Sequence, residues 1–412
     1  MNTQDSLPVR MDTAALRGVV PTFIVALACL TPLLVGIAAA IAGSAPWLGS
    51  AIGPMLHGFT DKTPFLQFGW FERRFQTSFS GVVDERLPLR NWMIQVNNQL
   101  DYSLLKTSRM YRGTIVISKD GVLNLRNPVA QSLGHTPDMP DTTMREVAQR
   151  LKRLHDLLAQ RGIPLVILGT PTKVSFARDS VPAAFREYRP GAPRNYERLT
   201  AALRDAGVPF TDGRAEMRRS GLQSQAPLFP KGGSHWTQLG VYAATRHALA
   251  GLFPEARPQE LRLVLDDVVV TRKAAGTDAD LLMLLNLLLP DVSYGSVQIK
   301  THLEGAPPLA KTVLLIGSSY TGQLQTLLLQ AGIAPRVVRY EYMQFAAACE
   351  GCAPESLPAN WPELILGETS AVILELNENS FFVTYGVPGR QYVQPFLDRL
   401  MPALERDRQQ LR

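Results

Sequence analysis

From about residue 143 onward, helical spacing of apolar residues alternates with short continuous apolar runs. Thr143 to Gln160 carries Val147, Leu151, Leu154 and Leu158 on one face, and Thr143 with Glu146 has the spacing of a capping box. Pro164 to Gly169 is apolar throughout, as a buried strand is. Asn195 to Ala206 repeats the helical spacing, and Val208 to Thr211 reads as a short strand ending at Asp212. Thr237 is placed to cap a helix from Gln238 to Leu252, and Asp278 to Leu289 reads as a leucine-rich helix after an extended Leu261–Lys273. Thr312 to Ile316 is a further apolar run, closed by Gly317. Thr321 to Gln330 then carries Leu324, Leu327 and Leu328 before an Ala331-Gly332 stop. Strands at Arg336–Tyr340 and Ala371–Leu376, a short helix near Pro362–Leu366 and a last helix Val393–Arg406 complete the series. Helix and strand in turn predict an α/β fold on a mostly parallel sheet.

The first 110 residues break that rhythm. Val19 to Ala42 holds no charged residue and exceeds the roughly 20 residues that cross a bilayer. It reads as a transmembrane helix, with a cleaved signal peptide as the alternative. Arg10 and Arg17 precede it and the first charge after it is Asp61, so residues 1–18 are expected in the cytoplasm and the bulk of the chain outside. For a bacterial protein this means a single-pass inner-membrane protein with its main domain in the periplasm. Residues 43–110 read as a linker and a membrane-proximal, mostly helical region, with Phe71 to Met110 as the helical part, and residues 111–412 as the main domain. That domain opens on a β-hairpin, Thr114–Ser118 and Val122–Leu125 about Asp120-Gly121.

Charge and cysteine content narrow the function classes. The net charge of +6 is spread without runs, and no basic helix or aromatic–basic stripe argues for nucleic acid. Of three cysteines, Cys29 lies in the apolar span. Cys349 and Cys352 form a lone C-x-x-C, a small disulfide or two inert thiols rather than a zinc site.

Chemistry gathers where strands end. Ser318 and Ser319 follow a strand and precede a helix, where an open α/β sheet places its ligand and a helix start favours an oxyanion. Such a serine is a nucleophile if a base reaches it; similar turns also bind phosphate or simply redirect the chain. His235, next to Trp236 and just ahead of a helix cap, has the most rigid setting of the six histidines and suits a general base. Lys173, after the Pro164–Gly169 strand, either orients a substrate or holds its loop. Asn377, at the end of the last strand, either completes an oxyanion hole or forms a turn.

Several pieces then align in one order: Lys119-Asp120-Gly121, Pro171-Thr-Lys173, His235-Trp236, Gly276-Thr-Asp-Ala-Asp-Leu281 and Gly317-Ser-Ser319-Tyr320. Over roughly residues 70–400 the sequence resembles the alginate O-acetyltransferase family of the AlgJ/AlgX type. The resemblance implies an SGNH-hydrolase-like three-layer α/β/α fold. It also implies Ser319 as nucleophile, His235 as base, and Tyr320, Asn377, Lys173 and Trp236 around an oxyanion or substrate site. The implied function is a membrane-anchored O-acetyltransferase acting on an exopolysaccharide through an acetyl-serine. Its partners would be the polysaccharide acceptor and a multi-spanning membrane O-acyltransferase as the donor side, with no metal or other cofactor. The family's aspartate two residues before the histidine is Gly233 here. Its loss leaves a dyad, an acid from elsewhere with Asp212 as the candidate, or a non-catalytic scaffold; an acetyl esterase would use the same residues with water. The hairpin departs too, with Val122 and Asn124 where the family has aromatic residues.

Overall fold

Successive side chains of a strand point to opposite faces, so a strand apolar at every position is covered on both sides. In the computed structural model the odd and even residues of each central strand enter two separate cores. Described are residues 90–108, 113–118, 120–182, 185, 191–256, 260–341, 345–347, 355–356, 367–379 and 393–410. The strands are β1 (Ile115–Ile117), β2 (Leu123–Leu125), β3 (Leu165–Thr170), β4 (Thr211–Asp212), β5 (Arg262–Val270), β6 (Val297–Glu304), β7 (Thr312–Gly317), β8 (Arg336–Glu341), β9 (Phe345–Ala347), β10 (Glu355–Ser356) and β11 (Thr369–Asn377). The helices used below are α1 (Arg90–Leu100), α2 (Arg126–Ser132), α3 (Asp141–Ala159), α4 (Lys173–Phe176), α5 (Asn195–Asp205), α6 (Gly213–Ser220), α7 (Gln238–Thr245), α8 (Asp280–Leu284), α9 (Thr321–Gln330) and α10 (Val393–Gln410).

Val166 and Leu168 of β3, Val313 and Leu315 of β7, and Ala371 and Ile373 of β11 pack with Leu239 of α7 and Leu324, Leu327 and Leu328 of α9. Their neighbours Leu165, Ile167, Leu314, Ile316, Val372 and Leu374 pack with Val147, Leu151 and Leu158 of α3, Leu199 and Leu203 of α5, and Leu397 and Leu404 of α10. The architecture is therefore a three-layer α/β/α arrangement, as the family resemblance implies.

The main sheet runs β10-β9-β8-β7-β11-β3-β4. Strands β8, β7, β11, β3 and β4 are parallel, and β9 and β10 add an antiparallel edge. Counted from β7, the parallel strands stand in the 2-1-3-4-5 order of a doubly wound sheet, but the chain enters that order at its fourth strand. Beyond β7 the chain moves outward to β8, then returns to the other side as β11. The carboxyl ends of β7 and β11 thus flank the switch point at which such sheets bind ligands. Strands β1 with β2, and β5 with β6, form two separate antiparallel pairs. Arg90–Leu100 and Asn286–Leu288 form a separate small unit, in which Asn98 Nδ2 donates to the Asn286 carbonyl at 3.3 Å.

Three elements differ from expectation. The helix expected over Gln238–Leu252 ends at Thr245 and is followed by a 3₁₀ turn, Ala248–Leu252. Helix α3 begins at Asp141, with Pro140 at its N-cap and no side-chain cap, so Thr143 and Glu146 form no capping box. Asp141 in the first turn faces the positive end of the helix dipole instead. The leucine-rich helix is only α8, because Asn286 (φ 48°) leaves the helical region soon after it. Val19–Ala42, Lys119, Pro362–Leu366 and all three cysteines lie outside the described residues. Among the described residues no helix is long and apolar enough to cross a membrane.

Candidate active site

The turn from β7 into α9 is fixed from beneath. A side chain at Gly317 would run into the Glu375 carboxylate of β11, so only glycine fits there. Glu375 Oε2 accepts the Ser318 N–H at 2.7 Å, and the Thr170 hydroxyl of β3 donates to its other oxygen. Burial raises the Glu375 pKa, against hydrogen bonds from Ser318, Thr170 and Asn377. The Ser318 carbonyl accepts from the Thr321 N–H (3.1 Å) and hydroxyl (2.7 Å), which starts α9 and leaves Ser319 at its mouth.

The histidine loop is tied to this turn from both sides. Thr237 caps α7 by accepting the Gly240 N–H at 3.1 Å, as its sequence position predicts. Trp236 is wholly buried, and its Nε1–H donates to the Tyr320 carbonyl at 3.1 Å. The Tyr320 hydroxyl donates back to the Ser234 carbonyl at 2.7 Å, and the indole and phenol rings meet edge-on at 5.4 Å. These bonds hold His235 Nε2 at 2.8 Å from Ser319 Oγ, across 84 positions of chain.

The other ring nitrogen, Nδ1, lies 2.7 Å from Asp280 Oδ2. Asp280, the first residue of α8, also accepts from the Ser234 hydroxyl and N–H, both at 2.8 Å, and from the Leu281 N–H at 2.6 Å. Burial pushes its pKa up, but the His235 and Ser234 contacts outweigh burial and hold it below the ordinary carboxylate value. A carboxylate facing Nδ1 assigns the ring proton there and leaves the Nε2 lone pair toward the serine. The carboxylate on Nδ1 thus comes from a residue 45 positions after the histidine, not from position 233. The two features are linked by space. A side chain at Gly233 would overlap the Thr277 carbonyl and Pro230, because the 277–280 segment occupies that position. Gly233→Asp is expected to lower stability by about 1–3 kcal/mol and to leave acyl turnover no higher, read from thermal melts and ester assays.

Asp212, the candidate for the acid, is employed elsewhere. It caps α6 by accepting the Ala215 N–H at 3.1 Å and takes the Tyr196 hydroxyl at 3.0 Å. Its place at the end of β4, outermost of the parallel strands, removes it from the serine turn.

Three other expected binding residues also turn inward. Lys173 Nζ donates to the carbonyls of Pro230 (2.6 Å), Gly233 (2.8 Å) and Lys231 (3.1 Å), so it clamps the loop that leads to His235. Asn377 sends its amide N–H groups to Thr170 Oγ1 (3.2 Å) and Glu375, and its carbonyl accepts the Asn379 N–H. That leaves it no donor for an oxyanion; it props the strand ends. Trp236 is the hinge pin described above, and Tyr320 alone of the group presents its ring to the site, 5.0 Å from the His235 ring.

Burial pushes the Lys173 pKa down to about 7, opposed by the charge of Asp280. An unfolded lysine titrates near 10.5, so between about pH 7 and 10.5 the unfolded chain binds more protons. This group's contribution to stability accordingly rises with pH over that window. Denaturant melts at pH 7.5 and 9.5 should show a gain on the order of 1 kcal/mol per pH unit that is absent in Lys173→Met.

Residues 134–332 match the family model described as ALGX, SGNH hydrolase-like domain, acetyltransferase AlgX. The matched segment, just under half of the chain, is similar to that SGNH-hydrolase-like domain. It contains Lys173, His235, Asp280 and Ser319, whereas Asn124 and Asn377 lie outside it. Similar solved structures include the O-acetyltransferase domain of Pseudomonas putida AlgJ, at 18% identity, covering 69% of this chain and 99% of that one, with a TM-score of 0.41. Pseudomonas aeruginosa AlgX follows at 17% identity, 69% and 66% coverage and a TM-score of 0.39. Bacillus cereus PatB1 with a sulfonyl adduct shares 8% identity, 65% and 96% coverage and a TM-score of 0.38. No curated protein sequence matches the chain.

Beside Ser319 is an open cavity of about 260 Å³. Ser319, His235 and Tyr320 form its reactive side; Leu123 and Leu125 of β2 and Leu281 and Leu284 of α8 are among its apolar walls.

Proposed function

We propose that the protein is an O-acyltransferase that acetylates an exopolysaccharide through an acetyl-serine. The observation that carries this reading is the continuous hydrogen-bonded chain from Asp280 through His235 to Ser319, opening on a cavity large enough for more than an acetyl group. In the first half-reaction His235 Nε2 takes the Ser319 hydroxyl proton as Oγ bonds to the donor's acyl carbon. The oxyanion faces the positive end of α9, and the leaving group departs with the proton from His235. In the second, a sugar hydroxyl gives its proton to His235 as it attacks the acetyl carbon, and His235 returns that proton to Ser319 Oγ as the acyl–Oγ bond breaks, releasing a sugar ester and restoring both residues. Asp280 remains ionised throughout and stabilises the imidazolium.

The matched AlgX-type domain supports an acetylation role, and the uncharged stretch Val19–Ala42 supports a periplasmic domain held at the inner membrane beside a multi-spanning acyl donor. Under this reading the full-length protein stays with the membrane fraction after alkaline carbonate extraction, and release into the supernatant would refute the anchor. A scaffold reading drew on Gly233, and Asp280 takes away that ground. An esterase is separated by acceptor. With an acetyl ester donor, added oligosaccharide should gain acetyl groups in preference to water, and hydrolysis alone would make the protein an esterase.

A further inference from the structure

We propose that Asn124 recognises the acceptor by hydrogen bonding two hydroxyls on adjacent carbons, an inference that rests on the acyl-transfer reading above. Asn124 lies on β2 opposite Val116 of β1, is 2% exposed and lines the cavity that holds Ser319. Neither its Oδ1 nor its Nδ2 has a hydrogen-bond partner among the described residues. Other polar side chains on the same wall are committed to the protein: Thr172 to the Ser175 N–H, Lys173 to three carbonyls, Tyr320 to the Ser234 carbonyl, and Asn377 to Thr170.

A buried amide with neither arm bonded is costly, and folded proteins rarely retain one without use. Between Leu123 and Leu125 an apolar side chain would be the more stable choice. The amide's two arms also define what suits it. Oδ1 needs a donor and Nδ2 an acceptor. An ester or thioester carbonyl offers only an acceptor and leaves Oδ1 bare. A vicinal diol offers one hydroxyl to each arm, while the leucines of β2 and α8 suit the C–H face of a sugar ring. The amide turns about χ2, a broad torsion, so its two arms are free to reorient toward a bound ligand.

The test compares full-length wild type with Asn124→Leu, using a chromogenic acetyl ester as donor and either trans-1,2-cyclohexanediol or cyclohexanol as acceptor. Wild type should acetylate the diol about tenfold faster than the mono-alcohol. Asn124→Leu should reduce that preference to about the twofold expected from counting hydroxyls, keep ester hydrolysis within about twofold, and melt no lower than wild type. Three results would overturn the proposal: a diol preference that survives in the variant, hydrolysis that falls as far as transfer, or a lowered melting temperature. The second would place the amide on the acyl group, and the third would make it structural. If wild type shows no Ser319-dependent turnover, the acyl-transfer reading itself fails, while the melting comparison still decides whether the amide supports the fold.

Discussion

Replacing Ser319 by alanine is expected to lower turnover of an activated acetyl ester by about 10³-fold or more, with the melting temperature almost unchanged. The size follows from the chemistry, since without Oγ no acyl-enzyme forms and only the oxyanion environment and binding remain. Stability is spared because the turn is held by Ser318, through its buried N–H on Glu375, and not by the Ser319 hydroxyl. His235→Ala should cost a similar factor, and the double variant little more than either, because the two groups act as one unit. Steady-state kinetics of the three proteins, alongside thermal melts, test this. Additive losses would show that serine and histidine act apart.

The second large effect belongs to Asp280. Asp280→Asn keeps the shape but replaces a charged acceptor with an amide, which removes the charge that favours the Nδ1–H tautomer and the imidazolium. By analogy with the aspartate-to-asparagine change in a serine-protease triad, turnover should fall by about 10⁴-fold. Asp212→Asn is the control. It weakens a helix cap and a tyrosine contact, so it should lose about 1 kcal/mol of stability and leave turnover per folded molecule near wild type. Kinetics and melts on both variants distinguish the assignments. Equal turnover in Asp280→Asn and wild type would leave a Ser–His dyad.

The elements nearest the serine were legible because local pattern and tertiary demand agree there. A run buried on both faces, a glycine that ends it, and a helix with the spacing of Leu324, Leu327 and Leu328 each follow from the sequence alone, whereas the lack of room for a side chain at Gly317 is seen only in the fold. His235 was legible from its cap and its tryptophan, although the indole serves as a bolt to Tyr320 and not as a substrate platform. The acid was not legible in its role. The only signal was the pair of aspartates in Gly276–Leu281, and nothing local says which of them faces a histidine 45 positions earlier. Asp278 points instead to the Val297 N–H, and burial raises its pKa. For Lys173 and Asn377 the sequence left two roles open for a shared reason. A polar residue at a strand's carboxyl end is poised equally to meet a ligand or to tie neighbouring loops, and only the fold showed three carbonyls gathered around one ammonium. Histidine precedes serine along the chain because the chain enters the doubly wound sheet at its fourth strand and so reaches the histidine segment first.

The central claim is that Ser319 carries the acyl group between donor and acceptor. The most direct measurement is intact and peptide mass spectrometry of the full-length protein quenched during turnover of an acetyl ester. One acetyl group is expected, on Ser319, discharged when a polyol acceptor is added and absent from Ser319→Ala. An acetyl group on another residue, or one that persists in Ser319→Ala, would contradict it.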